Sequence, residues 1–520
     1  MLKDIRFIQT REMLCDEAIY ATVAVYWKRH YEMMFSHMWN FNLKDEKGLN
    51  EGIGRIIEVD NSDVLDVLER YHGIKVEKQV IRERKKFSKV IKQMLDLNSP
   101  VAIDVRGEIF DDERTNEFFF PVLVIGIDEE NIYCIDVHIK KEKIVFPIGL
   151  FIENCVVTYE SFSLNDVEEY GVDWKEVISF NTQRWIQNGS FKSMKRLSSL
   201  FCTEFDLMRE KQLVSSDNEI ELCENIKMLY RTRFLYTQSL IFLNQYCDAR
   251  IPNGICSKFI DVYNVWLSIW GKLVKAFIKM DVFPVDAISK KISQIADDEN
   301  LICQQLIDVC NGGKKYDAKK YDEKKVESSK INENTEVFYL DLSRYFNNEG
   351  FSSSMETDST ADLTGFQQFL ITENWQECNI WQVGNRRFVF NRPQNGCYDN
   401  ISCSGQEILV TEASYSSILF IGCAEWGNQV EKLGIQYAEE KCEIPFCFTD
   451  LSFETPAFDE QVIWEGKCVE RKNGRIVSNL WAPKAHLFAK SVSVDKKKNM
   501  LSIQLPDCNN IHIFAISLYR

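Results

Sequence analysis

Residues 15–26 read CDEAIYATVAVY, and apolar side chains recur in this stretch at the spacing of one helix face. Ile19 and Val23, for example, are four residues apart, so they lie next to each other on a helix surface. The pattern predicts a helix over 16–29 that packs one side against a core. Cys15 stands directly before its first turn.

Beyond this helix, the pattern stays helical until about residue 100 and then changes to that of strands. Further helices are predicted at 65–71, before Gly73, and at 87–97. Short β-branched and aromatic runs separated by acidic turns then predict strands at 100–105, 118–127, 131–137 and 143–146. Helices followed by a sheet predict an α+β domain over residues 1–160.

The middle and the end of the chain differ sharply in pattern. Apolar residues at helical spacing predict an all-α domain over 165–310. Residues 311–335 are polar and charged, with too little apolar surface to offset the entropy of ordering, and predict a flexible linker. Short apolar runs between Gly, Asn, Asp and Pro turns predict an all-β, jelly-roll-like sandwich over 336–520.

Composition narrows the classes of function. The chain has 520 residues, with 62 basic and 78 acidic side chains and a net charge of −16, which disfavours binding to nucleic acid. The most apolar long stretch, 262–280, is interrupted by Lys272, Lys275 and Lys279, so it predicts a buried helix rather than a membrane span. The sequence predicts no membrane association.

Cysteine and histidine usage bears on compartment and cofactors. The 17 cysteines are an odd number, are spread out and form no Cys-x-x-Cys pair, which indicates reduced thiols in a cytoplasmic protein. None of the six histidines pairs with another His or a Cys at the spacing of zinc ligands. There is also no glycine-rich phosphate loop of Walker or dinucleotide spacing. We therefore expect neither a metal nor a cofactor, and the oligomeric state stays open.

Cys15 is the first candidate for chemistry. A thiol at a helix N-terminus feels the positive end of the helix dipole, which lowers its pKa and favours a nucleophilic thiolate. The adjacent carboxylates of Asp16 and Glu17 oppose thiolate formation. The alternative is that Cys15 is a small buried apolar residue, as free cysteines commonly are.

Several segments together resemble a known family, the N-terminal domain of butirosin biosynthesis protein H. They are CDEAIYATVAVY at 15–26, MF at 34–35, WNF at 39–41, GI at 73–74, PVAIDV at 100–105, VIGID at 124–128 and YCID at 133–136. That family is similar to the bacteriocin-processing cysteine peptidases, which have a papain-like fold. The resemblance extends over about residues 1–310 and implies transfer of an acyl group from a carrier-protein thioester to an amine.

The resemblance also assigns site residues. Such a fold uses a Cys nucleophile, a His base and an Asp or Asn that orients the imidazole. Cys15 matches the nucleophile and Asp136 matches the acid, but the usual His position holds Phe120. His138, two residues after Asp136, is the best available base. Either His138 completes the site, or it is a surface residue and the domain has lost catalysis.

The last third of the chain resembles the galactose-binding-like β-sandwich modules that accompany bacterial glycosidases. The resemblance rests on YFNNEGF at 345–351, DNI at 399–401, GQEI at 405–408, YSSILFIGCA at 415–424 and NNIHIFAISL at 509–518. It implies a recognition or scaffolding role. Trp426, Trp464 and Trp481 are candidates for stacking on a sugar, although such residues are more often part of the core.

Two functions from different classes remain open. The first is thiol-dependent acyl or peptidyl transfer, or thioester or amide hydrolysis, in a bacterial specialised-metabolite pathway, with Cys15 accepting the acyl group from a carrier-protein thioester. The second is a non-catalytic papain-like protein that binds a peptide, metabolite or carrier protein, with the C-terminal sandwich as a carbohydrate- or protein-recognition module.

Overall fold

The chain divides into two compact units, each built from three segments. The computed structural model describes residues 2–44, 46–60, 63–81, 83–110, 118–138, 141–215, 219–280, 283–312, 336–353, 359–372, 375–376, 378–472, 474–479, 482 and 484–520. Unit 1 comprises Met1–Glu204, Met228–Tyr263 and Ile292–Ala318, and unit 2 comprises Phe205–Lys227, Asn264–Lys291 and Lys319–Arg520. The linker predicted at 311–335 lies, beyond residue 312, outside the described residues. The predicted domain boundaries stay predictions.

The helices follow the sequence pattern closely, and the prediction of a helical middle region is confirmed. They are α1 Cys15–Tyr26, α2 Val64–His72, α3 Phe87–Asp96, α4 Ile148–Asn154, α5 Trp174–Gln187, α6 Ser190–Thr203, α7 Leu207–Gln212, α8 Glu221–Tyr246, α9 Asn253–Lys279 and α10 Val285–Cys310. One helix expected at 190–211 is two, because the Asp206 carboxylate accepts a hydrogen bond from the Arg209 N–H and starts α7 anew.

A six-stranded antiparallel sheet organises the N-terminal part of unit 1. The strands before residue 165 are β1 Asn42–Leu43, β2 Ile57–Glu58, β3 Ile74–Val80, β4 Val101–Arg106, β5 Phe119–Ile127, β6 Asn131–Asp136, β7 Lys141–Pro147 and β8 Cys155–Leu164. In the sheet they are ordered β3-β8-β4-β5-β6-β7, and β1 and β2 form a separate pair. The last strand, β8, thus inserts between β3 and β4.

Each face of this sheet carries its own hydrophobic core. Leu123 and Ile125 pack with α1 and α2 in what we call the α1 core. Val122 and Val124 pack with α3 and α4 in the α3 core. Because neighbouring side chains of a strand point to opposite faces, β5 contributes alternately to both cores.

Unit 2 contains the β-sandwich predicted for residues 336–520, and that prediction is confirmed. Its largest sheets are ordered β14-β24-β16-β22-β19, with β9 added beside β24, and β15-β23-β17-β18; β10-β11-β20-β21 form a third sheet. The strands are β9 Val337–Tyr339, β10 Phe351–Ser352, β11 Gln368–Ile371, β12 Ile380–Val383, β13 Arg386–Val389, β14 Ile401–Ser404, β15 Glu407–Ser414, β16 Ser417–Ala424, β17 Gln429–Tyr437, β18 Lys441–Phe448, β19 Glu460–Gly466, β20 Cys468–Lys472, β21 Arg475–Ser478, β22 Ala485–Ser493, β23 Asn499–Gln504 and β24 Asp507–Tyr519.

Among the described residues, no helix is both long enough and apolar enough to cross a bilayer.

Two glycines in the left-handed region offer a matched test of packing in unit 1. Gly73 ends α2 at φ 72°, and an added Cβ would lie 2.4 Å from the Asn165 carbonyl oxygen. Gly189 has φ 61°, and nothing lies within 4 Å of its added Cβ. Gly189→Ala should cost about 1 kcal/mol for the left-handed backbone alone. Gly73→Ala should cost about 2 kcal/mol or more, because the clash adds to that strain.

Urea denaturation of the two variants, followed by circular dichroism, measures this difference. Equal losses of stability would show that the chain after β8 does not pack on Gly73 as described.

Candidate functional site

Cys15 is the first residue of α1 and lies half-buried at the edge of the α1 core. The start of the helix is fixed locally by Glu17, whose Oε2 accepts a hydrogen bond from the Leu14 N–H at 2.8 Å. This contact satisfies a backbone N–H that precedes the first helical turn. The position of the thiol therefore follows from the sequence around it.

An arginine of α8 neutralises one of the two carboxylates that follow Cys15. Arg231 Nη2 lies 2.5 Å from Glu17 Oε2, and both side chains are buried. Arg231 Nε also donates to the Glu12 carbonyl oxygen at 2.8 Å. The sequence predicted that Glu17 and Asp16 together oppose a thiolate, but Glu17 is ion-paired, which leaves Asp16 as the opposing charge in this stretch.

The environment of Cys15 favours the neutral thiol. Burial raises the pKa of Cys15 above its ordinary value, and the negative charges of Asp16 and Asp136 raise it further. These effects outweigh the lowering expected from the helix dipole. The thiol is therefore protonated at neutral pH in the absence of a ligand.

Asp16, on α1, interacts electrostatically with charged side chains of the neighbouring strands. Loss of water around its carboxyl, together with the charges of Glu160 and Asp104, raises the pKa of Asp16 to about 6, although the residue keeps exposed surface. Tyr20 Oη donates to Glu160 Oε2 at 3.2 Å, and Lys78 Nζ lies 3.6 Å from Glu160 Oε1. Within the described ranges, no three His, Cys, Asp or Glu side chains are placed to hold a metal ion.

Asp136 is buried in the structure, whereas His138 is exposed. Asp136 ends β6, is fully buried and acts on Cys15 through its charge. His138 lies in the following turn, exposed, and its backbone N–H donates to Asp136 Oδ1 at 3.0 Å. Strand β6 ends at Asp136, so His138 does not continue it.

Phe120, at the position where the resemblance leads one to expect His, is packed against the imidazole of His138. Their ring centroids are 5.0 Å apart in an edge-to-face arrangement. Phe120 packs against the α3 core, whereas Cys15 packs against the α1 core on the other face of the sheet. The roles of Cys15, Asp136 and His138 in catalysis stay predictions.

Sequence reasoning missed the contribution of β3, β4 and β8 to this site. Lys78, Asp104 and Glu160 lie on these three strands, which are neighbours in the sheet but far apart in the chain. The available signal was a charged residue inside an apolar run, as Asp104 is in AIDV at 102–105. Such a signal marks an edge or a site without naming its partners.

The three tryptophans suggested for sugar binding do not share one environment. Trp464 is buried in the core of the sandwich, with its ring centroid 5.1 Å from that of Phe351. Trp426 is half-buried and packs edge-to-face against Phe366 at 5.0 Å. Trp481 lies outside the described residues. Trp464 is thus a core residue, which is the alternative that the sequence analysis gave for such tryptophans.

The sheets and the core of unit 2 define the C-terminal third of the chain as a β-sandwich module. Residues 336–520 match the family model of the AziU2-like beta-sandwich domain. No curated protein matches the chain. The match supports the sandwich and leaves the papain-like interpretation of the N-terminal region as a proposal.

The charge of Asp136 gives a test of the thiol environment. If Asp136 raises the pKa of Cys15 by repulsion, Asp136→Asn should shift the pH profile of Cys15 alkylation by iodoacetamide to lower pH. If Asp136 instead orients a His138 base, the same substitution should shift the profile to higher pH, because the imidazolium that stabilises the thiolate is lost. Peptide mass spectrometry reports the modification at Cys15 alone.

Asp66→Asn removes the same charge from an exposed position on α2 and serves as the control. We expect its profile to coincide with that of the unmodified sequence, in which alkylation still rises above pH 8.5, the usual thiol pKa. An upward shift in Asp136→Asn would contradict the repulsive arrangement.

Proposed function

We propose that residues 1–160 form a papain-like domain that binds a peptide, a metabolite or a carrier protein in a bacterial specialised-metabolite pathway, and that it has lost catalysis. One observation carries this proposal: burial and the negative charges of Asp16 and Asp136 raise the pKa of the half-buried Cys15 thiol. A papain-like nucleophile needs a cation beside it, because the thiolate is the reactive form.

The placement of the helix and the sheet supports the papain-like part of the proposal. Helix α1, with the thiol at its N-terminus, packs on one face of an antiparallel sheet, as the resemblance implies. Phe120 at the usual His position, packed against His138, supports the loss of the base.

The proposal gives the C-terminal sandwich a recognition role. A galactose-binding-like, jelly-roll-like module would bind a carbohydrate or a protein partner. It would thereby supply a second binding contact beside that of residues 1–160. Its support is the β-sandwich architecture and the resemblance of residues 336–520 described above.

A second candidate function is thiol-dependent acyl or peptidyl transfer, or hydrolysis of a thioester or amide. It is favoured by the half-exposed thiol at the first residue of α1 and by the proximity of Asp136. In this function, Cys15 Sγ attacks a carrier-bound thioester and the carrier thiol leaves with the Cys15 proton; an amine or water then attacks the acyl group, loses a proton, and displaces Cys15 Sγ, which takes that proton back. His138 would move the proton, with Asp136 holding the ring.

Acylation of Cys15 separates the two functions. The full chain is incubated with short acyl thioesters of N-acetylcysteamine, and intact mass spectrometry measures the adduct. The binding function predicts no adduct that depends on Cys15, because the neutral thiol attacks slowly. It also predicts that the amide analogue of the thioester binds the unmodified protein and Cys15→Ala with equal affinity.

Cys397→Ala, which removes an exposed thiol of the sandwich, is the control for unspecific acylation. An adduct that disappears in Cys15→Ala but persists in Cys397→Ala would establish the transfer function and overturn the binding one.

A further inference from the structure

Unit 2 contains a cavity of about 270 Å³ that is bordered by two lysines. Lys272 and Lys275 come from α9, while Cys508, Asn509 and Asn510 come from the start of β24. All of these residues belong to the same compact unit. The cavity is therefore formed where the second half of α9 packs on the sandwich.

Lys272 shares a single carboxylate with another lysine. Lys272 Nζ lies 2.5 Å from Glu431 Oε1, and Lys291 Nζ lies 2.8 Å from the same oxygen. The side chains of Lys272 and Glu431 are only 9% and 14% exposed. Two ammonium groups thus face one negative charge in a place that water screens poorly.

Lys275 has a carboxylate of its own. Its ammonium is ion-paired with Glu425 and donates to the Asn509 carbonyl oxygen at 2.8 Å. Three largely buried lysines, Lys272, Lys275 and Lys291, therefore face two buried glutamates, Glu425 and Glu431. With its three ammonium groups charged against two carboxylates, this group has a net positive charge, although burial and the charge of Lys272 lower the pKa of Lys291.

Neighbouring titratable groups do not remove this excess of positive charge. Burial raises the pKa of Cys508, so its thiol stays protonated. Burial lowers the pKa of His512, beside Glu425, so the imidazole is neutral. Asp507 also borders the cavity, but it is exposed to water.

Asn510 provides an independent indication of a ligand site. The residue is 1% exposed and borders the cavity, and its side-chain Nδ2 has no hydrogen-bond partner within the described part of the chain. A buried amide N–H without an acceptor has lost its hydrogen bonds to water without replacement, so such groups are uncommon in folded proteins. An acceptor atom in the cavity would satisfy it.

We propose that this cavity binds the anionic group, a carboxylate or a phosphate, of a small molecule. The oxygens of such a group accept hydrogen bonds from Asn510 Nδ2 and from the remaining N–H groups of Lys272 and Lys275, and its charge balances the one lysine charge in excess of the two glutamates. The cavity volume fits a small metabolite rather than a polymer. This inference does not depend on the function proposed for Cys15.

Inorganic phosphate and acetate are the probes, titrated into the full chain in a chloride buffer by isothermal calorimetry. We expect one site per chain for at least one probe, and the stronger of the two identifies the anionic group. Asn510→Ala and Lys272→Met should each weaken binding about tenfold or more, because each removes a donor. Lys272→Met leaves Glu431 paired with Lys291, so the fold should persist.

Lys432→Met removes an exposed lysine that is paired with Glu443 on the neighbouring strand, and it should bind the probe unchanged. Asn510→Ala removes an amide whose Nδ2 has no partner, so it tests the site even if Lys272→Met fails to fold. The inference is overturned if neither probe binds when it is titrated to millimolar concentration, at a 20-fold or greater molar excess over the protein. It is also overturned if Asn510→Ala binds the probe as tightly as the unmodified chain.

Discussion

Unit 1 depends on a fully buried ion pair between Glu299 of α10 and Arg233 of α8. Glu299 accepts hydrogen bonds from Arg233 Nε at 2.9 Å and Nη2 at 3.0 Å, and both side chains are fully buried. Trp39 Nε1 donates to Glu299 Oε2, the oxygen that also accepts from Arg233 Nη2, at 2.8 Å, and Arg233 Nη1 donates to the Asn40 carbonyl oxygen at 2.9 Å. Because a buried charge is tolerated only when its partners are all in place, the segment at Trp39 and both helices have one mutual arrangement.

The same helix α8 determines the surroundings of the candidate thiol. Arg231, two residues before Arg233, binds Glu17 and the Glu12 carbonyl oxygen, so the first turn of α1 is fixed by a charge on a helix more than 200 residues away in sequence. Neutralising Glu17 in this way leaves Asp16 and Asp136 as the charges that act on Cys15. The reactivity of the thiol is therefore a consequence of which carboxylates find a cation in the folded chain.

Much of the fold could be predicted because its local signals are strong. Helix α2 ends at Gly73 in the left-handed conformation, as the sequence indicated, and α9 is a helix whose lysines interrupt an apolar stretch. Strands β3 and β8 were missed. In β3, IKVEKQV, apolar residues alternate with charged and polar ones, so the strand lacks the apolar run on which the other strands were predicted. Tertiary pairing, with β3 beside β8, makes these segments strands.

The candidate site was harder to predict because its chemistry depends on pairs that spacing does not reveal. Tyr20 and Glu160 are bonded across 140 positions, and the charge of Asp136 reaches a thiol at the other end of the domain sequence. The lysines beside the cavity of unit 2 are a second case: the sequence predicted a buried helix over 262–280, but only the structure shows that Lys272 of α9 and Lys291 of α10 share Glu431. In both places, the number of buried charges that lack a counter-charge decides the chemistry, and this number is a property of the folded chain.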